Sequence, residues 1–318
     1  MHIVVLENLG VPAKTVEAFA EGLRAAGHTV DCHSERSADP EVLFARSENA
    51  DAVIVANTPY PDALIRRLPR LKLIDVAFTG IDHVGLEACR AQGITVCNAA
   101  NYSNQSVAEL VIGMVTGLYR KLGAADAAVR CGGTSQGLMG REIAGKTVGI
   151  IGTGRIGMMT AKLFLAFGAK VIAYSRSVKP EAEALGIRYC SLEELMAESD
   201  IVSVHTPNDA STRGLVSKEA IARMKRDAIL INCARGAIVD NAALAEALNE
   251  ERIAGAGIDV FDMEPPIPAD YPLLGAKNTL LAPHVAFLSE EAMVRRAEIV
   301  FRNMEAWLAG KPENVCAL

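Results

Sequence analysis

The sequence lacks the features that mark membrane, nucleic-acid-binding and secreted proteins. Half of its residues are hydrophobic, yet no apolar run approaches the roughly 18 residues that a membrane-spanning helix needs. The net charge is −6 at neutral pH and there is no long basic run, which argues against partners such as nucleic acid or an anionic membrane surface. We therefore expect a small-molecule ligand.

The seven cysteines show no spacing that is typical of a structural role. Their number is odd, they are scattered, and no C-x-x-C pair occurs, which fits reduced thiols and predicts neither a disulfide framework nor a metal site. The chain starts MHIVVLE, without the basic region or small-residue cleavage site of an export signal. These features lead us to expect a cytoplasmic protein without a metal.

The most informative stretch is TVGIIGTGRIG at residues 147–157. Its apolar, β-branched start is typical of a strand buried on both faces, and Gly152, Gly154 and Gly157 then form G-x-G-x-x-G before an apolar helical stretch. Such glycines allow a tight turn, a close approach to a pyrophosphate, and packing of helix on strand, while the helix N-terminus favours phosphate. A glycine-rich turn can also serve packing alone, but a second strand predicted at 170–174 favours dinucleotide binding.

Strand-like and helix-like segments alternate along the chain, which predicts an α/β fold with parallel sheets. The 318 residues are enough for two domains, and we predict two Rossmann-like, doubly wound domains. One helix is predicted over 105–122. Because it is apolar over most of its circumference, it should be buried between layers or between subunits. We expect a homodimer.

Three titratable residues follow predicted strands of the second half: Arg235 in NCARG, Glu264 in DVFDMEPP and His284 in LLAPH. Since ligands of doubly wound sheets bind beyond the carboxyl ends of the strands, these residues should gather at one edge with the glycine turn. The set suits reduction of a 2-oxo acid. An imidazolium donates a proton, a carboxylate stabilises and orients it, and a guanidinium binds the substrate carboxylate and polarises the carbonyl. Singly, each residue has a structural interpretation; their shared location favours function.

These motifs resemble those of the D-isomer-specific 2-hydroxyacid dehydrogenase family over nearly the whole chain. The matching segments are FTGIDHV at 78–84, SVAELVIG at 106–113, GKTVGIIGTGRIG at 145–157, HTPN at 205–208, LINCARGAIVD at 230–240, GIDVFDMEPP at 257–266 and APHVAF at 282–287. The resemblance implies that Arg235, Glu264 and His284 are the catalytic residues.

The resemblance also implies a division of the chain. It implies a substrate domain of residues 1–100 completed by 287–318, a dinucleotide-binding Rossmann domain of residues 101–286, and an active site in the cleft between them. The implied substrate-binding residues are Phe78, Thr79, Gly80, Tyr102 and Arg235. The implied cofactor-binding residues are Gly152, Gly154, Arg155, Ile156, Gly157, Thr206, Cys233, Ala234 and Asp259.

The sequence departs from NAD-preferring members of that family after the second strand of the Rossmann unit. These carry an acidic residue there for the ribose 2′-hydroxyl, whereas this chain reads YSRS at 174–177 and has no Asp or Glu between residues 157 and 181. Ser175 can donate a hydrogen bond to a 2′-phosphate, and Arg176 can form a charge-assisted pair with it. We therefore predict that NADP(H) is favoured and NAD(H) possible; the alternative is that Arg176 is a solvated surface cation.

The substrate is expected to be a small uncharged 2-oxo acid such as hydroxypyruvate, glyoxylate or pyruvate. The neutral lining expected for the pocket consists of Asn57, Tyr60, Phe78, Tyr102 and Phe287. The runner-up is a phosphoglycerate dehydrogenase, which needs cations for a phosphate; the turn at 57–60 has none, although Arg66 and Arg67 are near in sequence. A third hypothesis, from another class, is a nucleotide-sensing co-repressor of the same family, for which the chain shows no long tail.

Overall fold

The chain forms two compact units, each built around one parallel β-sheet. The computed structural model describes residues 1–263 and 266–318. One unit comprises Met1–Ser103 and Leu288–Leu318, and the other comprises Asn104–Phe287. The predicted fold class, two α/β units with parallel sheets, is confirmed.

The first unit contains a five-stranded sheet in the order β2-β1-β3-β4-β5, with every neighbouring pair parallel. Its strands are β1 His2–Val5, β2 Thr29–Cys32, β3 Ala52–Val55, β4 Leu73–Val76 and β5 Thr95–Asn98. Its first four helices are α1 Ala13–Ala25, α2 Pro40–Ser47, α3 Asp62–Ile65 and α4 Leu86–Gln92. The inner strands β3 and β4 are buried at every residue, which is why β3 is a continuous apolar run and β4 is apolar except for Asp75.

The second unit contains a seven-stranded sheet in the order β12-β11-β10-β9-β6-β7-β8, again parallel throughout. Its helices are α5 Asn104–Tyr119, α6 Leu122–Arg130, α7 Arg155–Ala166, α8 Pro180–Glu183, α9 Leu192–Glu198, α10 Lys218–Ala222 and α11 Asn241–Asn249. Its strands are β6 Thr147–Ile151, β7 Lys170–Tyr174, β8 Arg188–Tyr189, β9 Ile201–Val204, β10 Ile229–Asn232, β11 Gly255–Ile258 and β12 Thr279–Leu281.

The helix predicted over 105–122 is confirmed as α5 except at its end, because α5 stops at Tyr119 and a separate helix that was not predicted, α6, begins at Leu122. Lys121 has a φ of +51°, in the left-handed region, and this residue separates α5 from α6. The sequence gives little warning of the break, because no glycine or proline stands there. The predicted burial of α5 between layers is correct: Val111, Met114 and Val115 are buried in the core cluster that also contains Phe164 of α7. By contrast, α6 has no buried residue.

The last helix, α12 Glu290–Leu308, belongs to the first unit. Phe301 stacks on Phe19 of α1 with ring centroids 5.3 Å apart. Asn303 donates from its Nδ2 to Asp75 Oδ1 of β4 at 3.1 Å and to the carbonyl of Asn98 at 3.0 Å. Beyond α12, the Cys316 N–H donates to the Val96 carbonyl at 2.8 Å. The C-terminal segment therefore completes the fold of the N-terminal one.

Within residues 1–263 and 266–318, no helix is both long and apolar enough to span a membrane.

The buried carboxyl of Asp75 predicts a stability that depends on pH. Asp75 is fully buried. This burial raises its pKa to about 8, although the hydrogen bond from Asn303 lowers the pKa. Because the folded pKa exceeds the unfolded one, raising the pH through the window from about 4 to 8 destabilises the folded state. Between pH 5 and pH 8 the free energy of unfolding of wild type should fall by at least about 1 kcal/mol more than that of Asp75→Asn. Urea unfolding at the two pH values measures this difference. Asp39→Asn, at an exposed helix cap, should keep the wild-type slope; an equal slope in Asp75→Asn contradicts the prediction.

Candidate active site

The candidate residues of the second unit lie at one edge of its sheet. Because all seven strands are parallel, the segments that follow them emerge at the same edge. The glycine loop follows β6, Ser175 and Arg176 follow β7, Thr206 follows β9, Arg235 follows β10, Asp259 follows β11 and His284 follows β12. Strands β10, β11 and β12 are neighbours, which places the segments carrying Arg235, Asp259 and His284 side by side.

The glycine loop has the geometry of a phosphate site. Gly152 has a φ of +97°, and a Cβ on Gly157 would lie 2.0 Å from the Gly152 carbonyl oxygen, so helix α7 could not approach the loop with any other residue there. Gly154 is exposed and has open space around its missing Cβ. It caps α7 without any side-chain hydrogen bond, and the first N–H groups of this helix, from Arg155 and Ile156 onward, are therefore available to an anion.

The loop after β9 adds buried polar atoms to this edge. Among the described residues, neither Thr206 Oγ1 nor Asn208 Oδ1 has a hydrogen-bond partner, although both atoms are buried. Unpaired buried polar atoms are costly, so both fit a site that a ligand completes. His205, in the same motif, has its pKa lowered to about 3 by burial, and its Nε2 lies 2.8 Å from Ser203 Oγ. His205 is therefore neutral at physiological pH and unsuited to donate a proton.

Asp259 holds the loop that carries His284. Its carboxylate, fully buried, accepts the N–H groups of Val285 at 2.8 Å and Ala286 at 2.9 Å, and its carbonyl accepts the His284 N–H at 2.8 Å. His284 has a φ of +57°, a left-handed conformation that costs energy for a residue other than glycine. Its ring meets Phe287 edge-on with centroids 5.5 Å apart. The sequence motifs had indicated Asp259 only as a cofactor contact, and they missed this anchoring.

Asn232 does the same for the loop that carries Arg235. Its side chain is fully buried, with Nδ2 donating to the Arg235 carbonyl at 2.9 Å and Oδ1 accepting the Ala234 N–H at 3.0 Å. Arg235 is half-buried and donates from Nη1 to the Ala234 carbonyl at 2.8 Å. Next in the chain, Gly236 has no room for a Cβ, which would lie 1.9 Å from the Phe261 carbonyl oxygen. The backbone on both sides of Arg235 is therefore fixed.

Glu264, the third residue expected to be catalytic, lies outside the described residues. The segment just before it is anchored: Asp262 accepts the Asn241 Nδ2 at 3.0 Å and the Tyr271 hydroxyl at 2.8 Å. Cys233, expected near the cofactor, is buried with its Sγ 3.8 Å from Met114 Sδ.

The loop after β7 carries the residues expected to select the cofactor. Ser175 is half-buried, whereas the Arg176 side chain is 68% exposed and lies 3.4 Å from Asp209 Oδ2. Tyr189, from the short strand β8 that the sequence did not reveal, donates its hydroxyl to Thr153 Oγ1 at 3.0 Å and accepts the Lys179 N–H at 3.2 Å. One side chain thus joins the glycine loop to the loop after β7.

In the first unit, the residues expected to bind substrate lie against α12. The rings of Phe78 and Tyr102 meet at 6.1 Å, and the guanidinium carbon of Arg296, a residue only 4% exposed, lies 5.0 Å from the Phe78 ring centroid. Asn98 donates from Nδ2 to the Thr79 carbonyl at 2.7 Å, which fixes the turn that leads into Gly80. The sequence motifs gave no sign of Arg296.

Tyr60 does not line a pocket, and that expectation was wrong. The residue is fully buried in the core cluster of the first unit, which also contains Leu64 and Val84. The start of the turn at 57–60 is held by Glu7, whose Oε1 accepts the N–H groups of Ala56 and Thr58, both at 2.9 Å.

The comparison with known proteins agrees with this architecture. A family model described as the D-isomer specific 2-hydroxyacid dehydrogenase, NAD binding domain, matches residues 112–286. The chain belongs to the D-isomer-specific 2-hydroxyacid dehydrogenase family. It is 34% identical over 324 residues to a hydroxypyruvate reductase of Blautia hydrogenotrophica, covering 99% of both chains. A solved acyclic imino acid reductase, in complex with NADPH and D-Arg, superposes with a TM-score of 0.89 at 31% identity, covering 100% of both chains.

One relative of this dehydrogenase is considerably longer. The chain is 38% identical over 290 residues to the D-3-phosphoglycerate dehydrogenase of Mycobacterium tuberculosis, but it spans about half the length of that protein, 54%.

As a member of this family, the protein is an oxidoreductase that uses a nicotinamide cofactor and acts on small 2-oxo or D-2-hydroxy acids. In the part of the chain that the structure describes, no group of three or more His, Cys, Asp or Glu residues could hold a metal ion.

We predict that Asp259→Asn loosens the loop that carries His284. An amide has one acceptor oxygen where the carboxylate has two, so one of the N–H groups of Val285 and Ala286 loses its buried partner. The cost should be about 1–3 kcal/mol in urea unfolding, with faster hydrogen exchange in a peptide covering 284–286. Asp240→Asn, which keeps a helix cap, is the matched control and should be near neutral. Unchanged exchange in Asp259→Asn contradicts the anchoring role.

Proposed function

We propose that this enzyme reduces a small uncharged 2-oxo acid to the D-2-hydroxy acid, with His284 as the proton donor and Arg235 as the carboxylate-binding residue. The observation that carries the proposal is the adjacency of β10, β11 and β12, which brings Arg235 and His284 to the edge where the glycine loop also lies. Thr206 Oγ1 and Asn208 Oδ1 and the open approach to Gly154 fit a dinucleotide there. When bound, the nicotinamide supplies the hydride that reaches the carbonyl carbon.

His284 would donate its proton to the carbonyl oxygen as that oxygen gains negative charge, and in the reverse reaction it would take the proton from the hydroxyl. The bonds of Asp259 to the N–H groups of residues 284–286 hold the backbone that carries this imidazole. His205, the other histidine of this edge, stays neutral because of its burial.

Arg235 would bind the substrate carboxylate through two parallel N–H bonds and polarise the carbonyl. The Asn232 side chain supports it by bonding to the Ala234 N–H and to the Arg235 carbonyl. The proposed role of Glu264, which is to stabilise the protonated form of His284, rests on the family resemblance.

We propose the first unit as the substrate domain and the second as the cofactor domain. In the first unit the backbone N–H groups of Thr79 and Gly80 would bind the substrate carboxylate, and Phe78 would border the side chain of the substrate. Tyr102 is buried, 2% exposed, and would support the Phe78 ring from behind. The Phe78–Tyr102 contact and the nearby Arg296 support a preformed surface, which favours a small substrate such as hydroxypyruvate, glyoxylate or pyruvate.

One observation favours 3-phosphohydroxypyruvate as a second candidate substrate. Arg36, which the sequence analysis did not single out, donates from Nη2 to the Asn57 carbonyl at 3.0 Å and is 56% exposed, so a cation does stand beside the turn at 57–60. All three arginines of this region are paired: Arg36 with Glu7 at 3.8 Å, Arg67 with Glu41 at 2.6 Å and Arg66 with Glu87 at 4.0 Å. Arg36 differs from the other two in its bond to the turn itself. The relative of M. tuberculosis supports the same alternative.

For the cofactor we propose a preference for NADP(H), with NAD(H) accepted. Ser175 and Arg176 offer a hydroxyl and a guanidinium after β7, where a carboxylate would otherwise bind the ribose diol. The structural relative that contains NADPH supports the proposal.

We also propose a homodimer that works in the cytoplasm. The exposed apolar side chains Leu122, Val129 and Met139, on α6 and the loop after it, suit an interface between subunits. All seven cysteines are free thiols, as expected in a reducing compartment.

We predict that His284→Asn lowers kcat by about 10²- to 10⁴-fold and leaves cofactor binding intact. Asparagine tolerates the left-handed backbone of position 284, so the substitution removes the proton donor with little added strain. Steady-state kinetics and a fluorescence titration with NADPH measure the two effects. His28→Asn, a partly exposed histidine of the first unit, is the control and should be silent. A kcat near that of wild type would refute the assignment.

We predict the highest kcat/KM for hydroxypyruvate, glyoxylate or pyruvate, and a higher value with NADPH than with NADH. The physical reasons are the uncharged ring of the half-buried Phe78 and the missing carboxylate after β7. Initial rates with a panel of 2-oxo acids and both cofactors measure these preferences. If 3-phosphohydroxypyruvate is the best substrate and Arg36→Gln selectively raises its KM, the second candidate is correct.

A further inference from the structure

A carboxylate from another loop stands beside Arg176. The sequence has no acidic residue between residues 157 and 181, but Asp209 Oδ2 lies 3.4 Å from the Arg176 Nη1, and Ser211 Oγ lies 3.5 Å from the same nitrogen. The Asp209 side chain is 39% exposed. The guanidinium is thus shared between two groups of one turn.

The loop positions explain why the two side chains meet. Arg176 follows β7 and Asp209 follows β9, and β6 lies between these strands. Both loops therefore flank the glycine loop at the carboxyl edge of the sheet. In a dinucleotide-binding sheet the residue after the second strand faces the adenosine ribose, so the pair lies where a 2′-phosphate would be recognised.

Asp209 is held firmly, whereas Arg176 is not. Asp209 Oδ1 accepts the Ser211 N–H at 2.8 Å and the Ser211 hydroxyl at 2.6 Å, and the Asp209 N–H donates to Thr212 Oγ1 at 2.8 Å. The bonds from Ser211, more than Arg176, lower the pKa of Asp209, so the carboxylate is charged at neutral pH. The long Arg176 side chain is the partner that can move to a new anion.

We propose that Asp209 is a specificity-determining residue that competes with the 2′-phosphate of NADP(H) for Arg176 and so lowers the affinity for this cofactor. The inference rests on the proposed role of Arg176 at the ribose. The loop after β9 thus supplies a carboxylate that the segment after β7 lacks. Because Asp209 weakens the binding of NADP(H) without preventing it, both cofactors can bind. Since both side chains are well exposed, water and salt screen the pair, and the effect should be moderate.

The test compares the binding of 2′,5′-ADP with that of 5′-AMP to the full chain by calorimetry, followed by titrations with NADPH and NADH. Asp209→Asn keeps an acceptor for Ser211. It should raise the affinity for 2′,5′-ADP about three- to tenfold, while the affinity for 5′-AMP changes less than twofold. Glu198→Gln is the matched control. Glu198 pairs with Arg188 and, at the end of α9 before β9, lies at the opposite edge of the sheet; neither ligand should respond to this change.

A double variant separates this inference from the proposed cofactor site. Arg176→Ala should weaken 2′,5′-ADP, and in its presence Asp209→Asn should lose most of its gain. If Arg176→Ala weakens 2′,5′-ADP but Asp209→Asn is silent, or if the gain persists without Arg176, the competition is refuted and the phosphate site stands. If Arg176→Ala is silent in both backgrounds, both proposals fail. A further outcome is that wild type favours NADH, while Asp209→Asn binds 2′,5′-ADP more tightly and loses this gain in the Arg176→Ala background. This outcome supports the competition and contradicts only the predicted preference for NADPH.

Discussion

The common direction of the seven strands in the second unit is the constraint on which its chemistry depends. Parallel strands force each connection to return across the sheet, so the segment after every strand begins at the same edge. Residues as far apart as Gly152 and His284 therefore share that edge, although 132 positions separate them in the sequence. An antiparallel arrangement would have divided these residues between two edges and left no site.

Buried polar side chains hold the loops at the carboxyl ends of strands in both units. Asp259 and Asn232 in the second unit, and Glu7 in the first, each bond to backbone groups of the segment they support. Burying such groups is costly unless they are hydrogen-bonded, so each side chain favours only the loop conformation that satisfies it. Side chains with a proposed function, such as Arg235, then stand on a backbone that has few alternatives.

In the first unit the C-terminal segment has the corresponding role. Asn303 lies 228 positions from Asp75 in the sequence, yet its amide bonds to that carboxyl inside the sheet. The same helix brings Arg296 beneath Phe78. A carboxyl and a guanidinium are thus buried in one small unit. The buried carboxyl makes the stability of this unit depend on pH, and the buried guanidinium packs the Phe78 ring against the last helix of the chain.

The sequence by itself determined the elements whose signal is local. The apolar strands, the glycine turn and the order of strand and helix follow from β-branched runs and from glycines at 152, 154 and 157, and the motifs containing Arg235 and His284 could be placed after strands for the same reason. Only the tertiary structure decided which distant residues meet. The pairing of Arg176 with Asp209, the burial of Tyr60, the strand β8 and the break at Lys121 depend on packing between segments that no local pattern encodes. A carboxylate 33 residues from Arg176 leaves no trace in a motif, because its position is set by the strand between the two loops.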